Sequence, residues 1–311
     1  MRYLICCFAV VLSFSLTNHG FAQGRNAQRL KQLDKNQDGN LSEQEAGKAL
    51  WKRLSALDTN ADGVLTKEEL AKPRTEGNQG RKRPGGANNT FETKTFKGTN
   101  GESISYSLFS PKEVEGKIPL VLCLHGKGGN TTAANVAASQ KIQAKNPCYV
   151  MAPACSGNAK WVLGGFRSSE GLRSVMPELL EAIAKLEETL PIDSNRIYIT
   201  GQSMGGAGTW GTIVKNPHKF AAAVPVCGFW DAKDAEKIKD VPLWAFHGEK
   251  DSVVPVRGSR DMVAAMKEAG GKPKYTEYPG VNHSSWTQTY AKDELWDWLF
   301  QQSRKDEVKK D

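Results

Sequence analysis

From residue 91 onward, short apolar runs alternate with longer helical patterns, and this alternation constrains the fold more than any other feature. The later apolar runs are nearly continuous, as in PLVLCL at 119–124, which is typical of strands covered on both faces. The pattern predicts an α/β domain over 91–305, with a doubly wound, mostly parallel sheet of eight strands. The expected strands are 91–97, 103–109, 119–124, 148–152, 196–200, 220–226, 242–246 and 274–278, and the expected helices are 170–189, 204–215, 256–269 and 286–302.

The first 22 residues have the pattern of a secretory signal peptide. Arg2 precedes an apolar run, and Gly20-Phe21-Ala22 supplies the small residues of a cleavage site. The run is too short for a membrane-spanning helix. The alternative to a signal peptide is a buried N-terminal helix. We therefore expect 1–22 to be removed, and the mature chain to be secreted or periplasmic without a transmembrane segment.

The chain has 311 residues and a formal net charge of +8. Much of this excess lies in 73–90, a stretch rich in proline, glycine and polar residues that predicts a basic flexible linker. Because the charge is concentrated there rather than spread over a face, the sequence does not predict nucleic-acid binding. Arg81-Lys82-Arg83 could instead contact an anionic surface, which is the alternative to a solvated linker.

Two segments before the linker carry oxygen-bearing side chains at alternating positions, which is the pattern of the EF-hand calcium loop. Each has glycine at position 6 and leucine at position 8, where a short strand is expected to pair the two loops. Residues 23–72 therefore predict a small helical EF-hand pair that binds Ca²⁺ in a structural role, with one helix over 46–57. The predicted ligands are Asp34, Asn36, Asp38, Asn40 and Glu45 in 34–45, and Asp58, Asn60, Asp62, Val64 and Glu69 in 58–69.

Four cysteines remain once Cys6 and Cys7 leave with the signal, namely Cys123, Cys148, Cys155 and Cys227. An even number in an oxidising compartment permits disulfides. Most of them lie in apolar runs, so buried free thiols stay an equal alternative, and none has the spacing of metal ligands.

The segment GQSMG, 201–205, places Ser203 between a predicted strand and a predicted helix. This G-x-S-x-G context is typical of a nucleophile held on a sharp turn, although small residues suit any tight turn of this kind. Asp251 follows the seventh strand and His283 follows the eighth. Because loops at the carboxyl ends of parallel strands converge, these three residues predict a nucleophile, an orienting acid and a general base.

The turn HGKGG, 125–129, follows the third strand and can direct backbone N–H groups outward. Such donors stabilise the oxyanion of a tetrahedral intermediate, so the N–H groups of Lys127 and Met204 are the predicted pair. Glu249 is the alternative acid, while His125 is expected to brace the turn and His247 to pack at the end of its strand. Trp161 and Trp286 are tentative residues of a substrate pocket.

Together, GQSMGG, HGEKDSVVP, YPGVNHSSW and LHGKGG resemble the α/β-hydrolase superfamily over about 91–302. The chain is most similar to secreted bacterial esterases related to polyhydroxybutyrate depolymerases, feruloyl esterases and the so-called predicted peptidases. The resemblance implies hydrolysis of carboxylic esters without a catalytic cofactor, with Ser203, Asp251 and His283 as the triad and Lys127 and Met204 as oxyanion donors.

The leading hypothesis is a secreted serine esterase that acts on small or polysaccharide-linked esters through an acyl-enzyme. A serine peptidase of the same fold is one alternative, because ester and amide cleavage share the tetrahedral intermediate. A calcium-dependent adhesion protein with an idle hydrolase fold is the other. The sequence does not predict the acyl group or the alcohol.

Overall fold

The computed structural model describes residues 33–34, 36, 38–47, 51, 63–66, 90–113, 115–129, 132–155, 157–164 and 171–304. The chain divides into two compact units, Met1–Arg83 and Pro84–Asp311. The predicted signal 1–22 and nearly all of the predicted linker 73–90 lie outside the described residues, as does most of the predicted helix 46–57.

The first unit contains a small two-stranded sheet. Strand β1 (Leu41–Ser42) pairs antiparallel with β2 (Val64–Leu65), so that Leu41 lies opposite Leu65. Both leucines are buried, and Leu33, Ala46 and Trp51 pack against them. The prediction that position 8 of each loop forms the pairing strand is confirmed.

The one helix described in full in this unit is α1 (Glu43–Ala46), which begins directly after β1. Its cap is reciprocal, because the Ser42 hydroxyl accepts from Glu45 N while the Glu45 carboxylate accepts from Ser42 N at 3.0 Å. The capping box holds the Glu45 side chain over the preceding loop.

The second unit is built on an eight-stranded sheet. Its strands, together with the short pair β7–β8, are β3 (Glu92–Lys97), β4 (Ser103–Phe109), β5 (Ile118–Leu124), β6 (Tyr149–Pro153), β7 (Ala159–Lys160), β8 (Arg173–Ser174), β9 (Ile192–Gln202), β10 (Ala222–Val226), β11 (Trp244–Gly248) and β12 (Lys274–Tyr278). The order across the large sheet is β12-β11-β10-β9-β5-β6-β4-β3. The six strands from β12 to β6 in this order pair in parallel, while β4 pairs antiparallel with both β6 and the edge strand β3.

Helices cover both faces of this sheet. They are α2 (Thr132–Ala137), α3 (Gln140–Lys145), α4 (Met176–Thr189), α5 (Met204–Lys215), α6 (Arg257–Glu268), α7 (Trp286–Ala291) and α8 (Asp293–Phe300). Short 3₁₀ helices occupy Ala232–Ile238 and His283–Ser285. Among the described helices, none has the length and apolarity that crossing a membrane would require.

The buried residues form one core on each side of the sheet. Leu120 and Leu122 of β5 belong to the core that packs under α4, α5 and α6, whereas Val121 and Cys123 belong to the core under α2, α3, α7 and α8. Alternate residues of a strand point to opposite faces, so β5 is buried from both sides. The predicted doubly wound sheet of eight strands is confirmed.

Two helices differ from the sequence expectation. The predicted helix 286–302 is interrupted at Lys292, whose extended backbone (φ −76°, ψ 121°) separates α7 from α8. The predicted helix 170–189 begins only at Met176, because Arg173 and Ser174 form β8 instead. Helices α2 and α3 were not expected, since each is only six residues long and neither shows a clear helical period.

The strand order reverses direction at β5. The chain proceeds from β5 to β6 on one side and returns to β9 on the other, so helices diverge to opposite faces at this point. In sheets of this kind, ligands bind outside the carboxyl ends of the strands where the order reverses. The turn HGKGG, 125–129, follows β5 directly.

Candidate active site

Ser203 occupies a strained turn between β9 and α5. Its backbone has φ 56° and ψ −115°, a region that non-glycine residues rarely adopt. The turn is tight because a Cβ at Gly205 would overlap the carbonyl oxygen of Leu124, and one at Gly201 would overlap the backbone of Gly205. Only glycine fits at these two positions, so the motif carries Ser203 clear of the strand end.

The structure brings Ser203, His283 and Asp251 into one hydrogen-bonded line. His283 Nε2 lies 2.9 Å from Ser203 Oγ, and His283 Nδ1 lies 2.7 Å from Asp251 Oδ2. The Asp251 side chain is wholly buried, while that of His283 is 17% exposed. A base with one nitrogen on the hydroxyl and the other on a carboxylate can take a proton from that hydroxyl.

The loops that carry Asp251 and His283 are tied together by Asn282. Its side-chain oxygen accepts from Ser252 N at 3.1 Å and from His283 N at 2.9 Å. Trp286 packs edge-on against the His283 ring, with centroids 5.3 Å apart. These contacts fix the imidazole in position.

Asp251 is saturated with hydrogen-bond donors. Oδ1 accepts from the N–H groups of Val253 and Val254, each at 2.9 Å, and Oδ2 faces two imidazoles. The second imidazole is His247, whose Nε2 lies 3.2 Å away. Glu249, the alternative acid, instead accepts from Gly280 N at 2.7 Å.

His247 was expected only to pack at the end of its strand, and its contact with Asp251 was missed. Its side chain is wholly buried, with Nε2 2.9 Å from Val254 O and Nδ1 2.8 Å from Ser259 Oγ. A carbonyl can only accept, so Nε2 carries the proton and Nδ1 is free to accept from the Ser259 hydroxyl. Burial lowers the pKa of His247 and keeps the ring neutral.

The HGKGG turn closes through a hydrogen bond from Gly129 N to Gly126 O at 3.2 Å. Lys127 lies inside this turn, and Met204 is the first residue of α5, where a helix leaves its N–H groups without intrahelical acceptors. Both residues line the cavity at Ser203. Their N–H groups stay the predicted oxyanion donors.

His125 braces this turn, as expected. Its Nε2 accepts from Cys155 N at 3.0 Å, so Nδ1 carries the proton and donates to Gly126 O at 2.7 Å. Trp161 donates from Nε1 to His125 O at 3.1 Å and packs edge-on against the ring. The imidazole that the triad needs is therefore not His125.

A cavity of about 670 Å³ opens at Ser203 and His283. Trp161 and Trp286, the tentative pocket residues, both line it. The other described lining residues are Gly126, Lys127, Lys160, Val162, Gly164, Leu172, Gln202, Met204, Ala207, Gly208, Phe229, Trp230, Val253 and Val254.

The four described cysteines are all buried free thiols, namely Cys123, Cys148, Cys155 and Cys227. Of the two alternatives, disulfides and free thiols, the structure has the second. Cys227 lies beside the triad, with its Sγ within 4.8 Å of side-chain atoms of Asp251 and His283. Burial raises the pKa of this thiol to about 12, so it stays protonated and does not compete with Ser203 as a nucleophile.

The first predicted calcium loop folds around its acidic side chains. Asp34 Oδ2 accepts from Gly39 N at 2.9 Å, and Asp38 Oδ1 accepts from Asn40 N at 2.7 Å. Asp34 Oδ1 is buried without a hydrogen-bond partner in the described part of the chain. A buried carboxylate oxygen without a hydrogen-bond partner fits a hard cation such as Ca²⁺.

In the second predicted loop, Val64 lies in β2 opposite Ser42. The predicted ligands Asp58, Asn60, Asp62 and Glu69 lie outside the described residues.

Comparison with known proteins gives two family matches. Residues 110–292 match the phospholipase/carboxylesterase family, and residues 52–72 match the EF-hand family. A solved structure of a thermostable esterase is 43% identical, with a TM-score of 0.64 over 69% of this chain and 63% of that one.

Two curated relatives are more distant. A secreted protein of Arthroderma benhamiae is 27% identical over 59% of this chain, and a bifunctional acetylxylan esterase/xylanase of Neocallimastix patriciarum is 23% identical over 62% of it. The chain spans only 24% and 29% of these two relatives. The family match, by contrast, covers more than half of this chain and contains Ser203, Asp251 and His283. The chain therefore belongs to the phospholipase/carboxylesterase family of α/β-hydrolases.

Proposed function

We propose that this protein is a secreted serine carboxylesterase in which Ser203, His283 and Asp251 form the catalytic triad. The observation that carries the proposal is the hydrogen-bonded line from Ser203 Oγ through the His283 ring to the buried Asp251 carboxylate, at 2.9 and 2.7 Å. Membership of the carboxylesterase family supports the reaction class.

In the first half-reaction, His283 Nε2 takes the Ser203 proton as Oγ attacks the ester carbonyl. Asp251 stabilises the imidazolium and holds Nδ1 protonated. The carbonyl oxygen becomes an oxyanion, which the N–H groups of Lys127 and Met204 stabilise. His283 then gives its proton to the leaving alcohol, and the acyl group stays on Ser203.

In the second half-reaction, a water molecule takes the place of the alcohol. His283 removes a proton from this water as it attacks the acyl-enzyme, and the collapse of the second tetrahedral intermediate returns the proton to Ser203 Oγ. Every proton transfer runs through His283, so the reaction needs no catalytic cofactor.

The cavity and the relatives support the proposed substrate class. Aromatic side chains, including Trp161 and Trp286, line a cavity of about 670 Å³, which suits small esters or a sugar-linked acyl group. The acetylxylan esterase/xylanase and the secreted relative support polysaccharide-linked esters and an extracellular or periplasmic location. Peptide hydrolysis is the competing activity, and turnover of matched ester and anilide substrates separates the two.

The N-terminal unit is proposed to be a structural calcium module. Asp34, Asn36, Asp38 and Glu45 would hold the ion in the first loop, together with the carbonyl of Asn40. The buried Asp34 Oδ1 supports this assignment. A bound Ca²⁺ would neutralise the acidic side chains of the loop and so stabilise it, and no step of the ester reaction involves the ion.

The test is Ser203→Ala assayed with p-nitrophenyl acetate. The variant has lost the attacking oxygen, so we expect a fall in kcat of at least about 10³-fold. Ser284→Ala is the matched control. Ser284 is exposed and adjacent to His283 in the chain, and it has no role in the proposed mechanism. Retained turnover by Ser203→Ala would reject the triad assignment.

A further inference from the structure

Two lysines stand out among the residues that line the cavity. Lys127 and Lys160 are exposed, and apart from His283 they carry the only ionisable side chains in the described lining. Asp251 does not line the cavity, since its carboxylate is buried behind His283. The described walls therefore carry positive charge and no negative charge.

The two lysines belong to segments that are held together. Lys127 lies in the turn that His125 braces, and Lys160 is the last residue of β7, directly before Trp161. Trp161 donates to His125 O at 3.1 Å, and the two rings are 5.0 Å apart. The backbone segments that carry the two lysines are thus joined through Trp161 and His125, next to the proposed oxyanion donor Lys127 N.

No carboxylate in the described part of the chain forms an ion pair with either ammonium group. Such pairing does occur elsewhere on the surface, where Lys141 contacts Asp293 and Lys145 contacts Asp297. The lining also includes Phe229, Trp230 and Trp286, which supply apolar surface. The described lining therefore offers apolar contact together with two ammonium groups that no described carboxylate neutralises.

We propose that Lys127 and Lys160 select esters that carry a carboxylate close to the scissile carbonyl. The inference rests on the proposed esterase function and adds the charge of its substrate. An anionic group is attracted into a cavity with positive walls. Two kinds of substrate carry such a charge: a monoester of a dicarboxylic acid carries it on the acyl part, and an acylated hydroxy acid carries it on the alcohol part.

The experiment compares kcat/KM for matched anionic and neutral esters in the full chain. For the acyl side, p-nitrophenyl hemisuccinate is compared with p-nitrophenyl butyrate. For the alcohol side, 4-acetoxybenzoate is compared with 4-acetoxybenzamide. The ratio of anionic to neutral turnover is measured for the wild type and for Lys127→Gln, Lys160→Gln, Lys160→Glu and Lys160→Arg, so that the intrinsic reactivity of each ester cancels between variants.

We expect each glutamine substitution to lower the ratio by roughly three- to fivefold for one of the two pairs, because a partly exposed charge pair contributes modestly. Lys160→Glu should lower the ratio further. Lys160→Arg keeps the positive charge and should leave the ratio near the wild-type value. Raising NaCl from 20 to 500 mM should reduce the wild-type ratio, since salt screens the attraction. The control is Lys267→Gln, because Lys267 is an exposed lysine on α6 outside the cavity. This variant should leave the ratio unchanged.

The pair of esters that responds identifies which side of the bond carries the charge. A ratio that stays within twofold of the wild type in every lysine variant, with neutral esters still hydrolysed, would overturn this inference and leave the esterase function standing. Failure of the wild type to hydrolyse any of the four esters would instead overturn the esterase function, and this inference with it.

Discussion

At the scale of single residues, Asp251 is the point on which the site depends. Its carboxylate accepts hydrogen bonds from two backbone N–H groups and faces both His283 and His247. A buried carboxylate is costly unless its lone pairs are satisfied, and four donors meet this requirement. The aspartate can therefore stay ionised and hold His283 in one orientation.

The buried His247 predicts a specific loss of stability in acid. Its folded pKa lies below the ordinary value of about 6.5, chiefly because of burial. Well above pH 6.5 the ring is neutral in both the folded and the unfolded state, so its full contribution to the free energy of unfolding is present. As the pH falls below 6.5, the unfolded chain takes up a proton that the folded ring accepts less readily, so the free energy of unfolding decreases.

We therefore expect His247→Gln to have a smaller fall in Tm between pH 7.5 and pH 5.5 than the wild type, although it is less stable at pH 7.5. Thermal melts at both pH values measure the difference between the two proteins, so acid effects on other groups cancel. An equal fall in Tm in the two proteins would show that His247 does not titrate in this way.

The grouping of Ser203, Asp251 and His283 could be predicted because each follows a strand whose carboxyl end meets the others. The contact between His247 and Asp251 could not be predicted from the sequence, because it depends on how the loop 248–254 folds back over its own strand. The same loop geometry turns Glu249 toward Gly280 and away from His283, which hydrophobic pattern alone does not reveal.

At the scale of secondary-structure elements, the joint between β9 and α5 positions the nucleophile. The helix can approach the sheet only because Gly205 lacks a Cβ, which would overlap the carbonyl oxygen of Leu124. We expect Gly205→Ala to lower the free energy of unfolding by about 1–3 kcal/mol, the usual cost of overpacking, and to reduce kcat by displacing Ser203. Denaturant melts and p-nitrophenyl acetate assays measure both effects. Wild-type values in both would contradict the close approach.

Sequence pattern predicted all eight strands of the large sheet. Buried central strands such as β5 and β10 are continuous apolar runs, whereas β4 near the edge alternates exposed and buried residues over its first half. Sequence pattern failed where local geometry decides: Lys292 adopts an extended backbone inside an amphipathic stretch, and α2 and α3 are too short to show a period. The pair β7–β8 was also missed, since two-residue strands have no pattern of their own.

At the scale of the whole molecule, the chain combines a hydrolase unit with a small N-terminal unit whose described core centres on Leu41 and Leu65. A unit of this size needs additional stabilisation, and a bound metal ion is one source of it. The two loop motifs predict an EF-hand pair within this unit. The positions of the second loop's ligands, like the predicted signal and most of the linker, fall outside the described residues.

We expect Ca²⁺ to bind the full chain and to raise the Tm of the N-terminal unit. At 100 times the Kd, binding stabilises the folded state by about 2.7 kcal/mol. Calorimetric titration of the Ser203→Ala protein measures binding without turnover, and Glu45→Gln is the matched variant that should weaken it. EDTA should leave esterase activity unchanged. A flat titration would reject the calcium site, and immediate, reversible loss of activity in EDTA with the fold intact would contradict a structural role.

The central claim is that Ser203 is the nucleophile of an acyl-enzyme. The most direct measurement is to label the wild-type protein with a fluorophosphonate and to locate the adduct by peptide mass spectrometry. A single adduct on the Ser203 peptide, absent in Ser203→Ala and reduced in His283→Ala, is the predicted result. An adduct on another residue, or equal labelling of the Ser203→Ala protein, would contradict it.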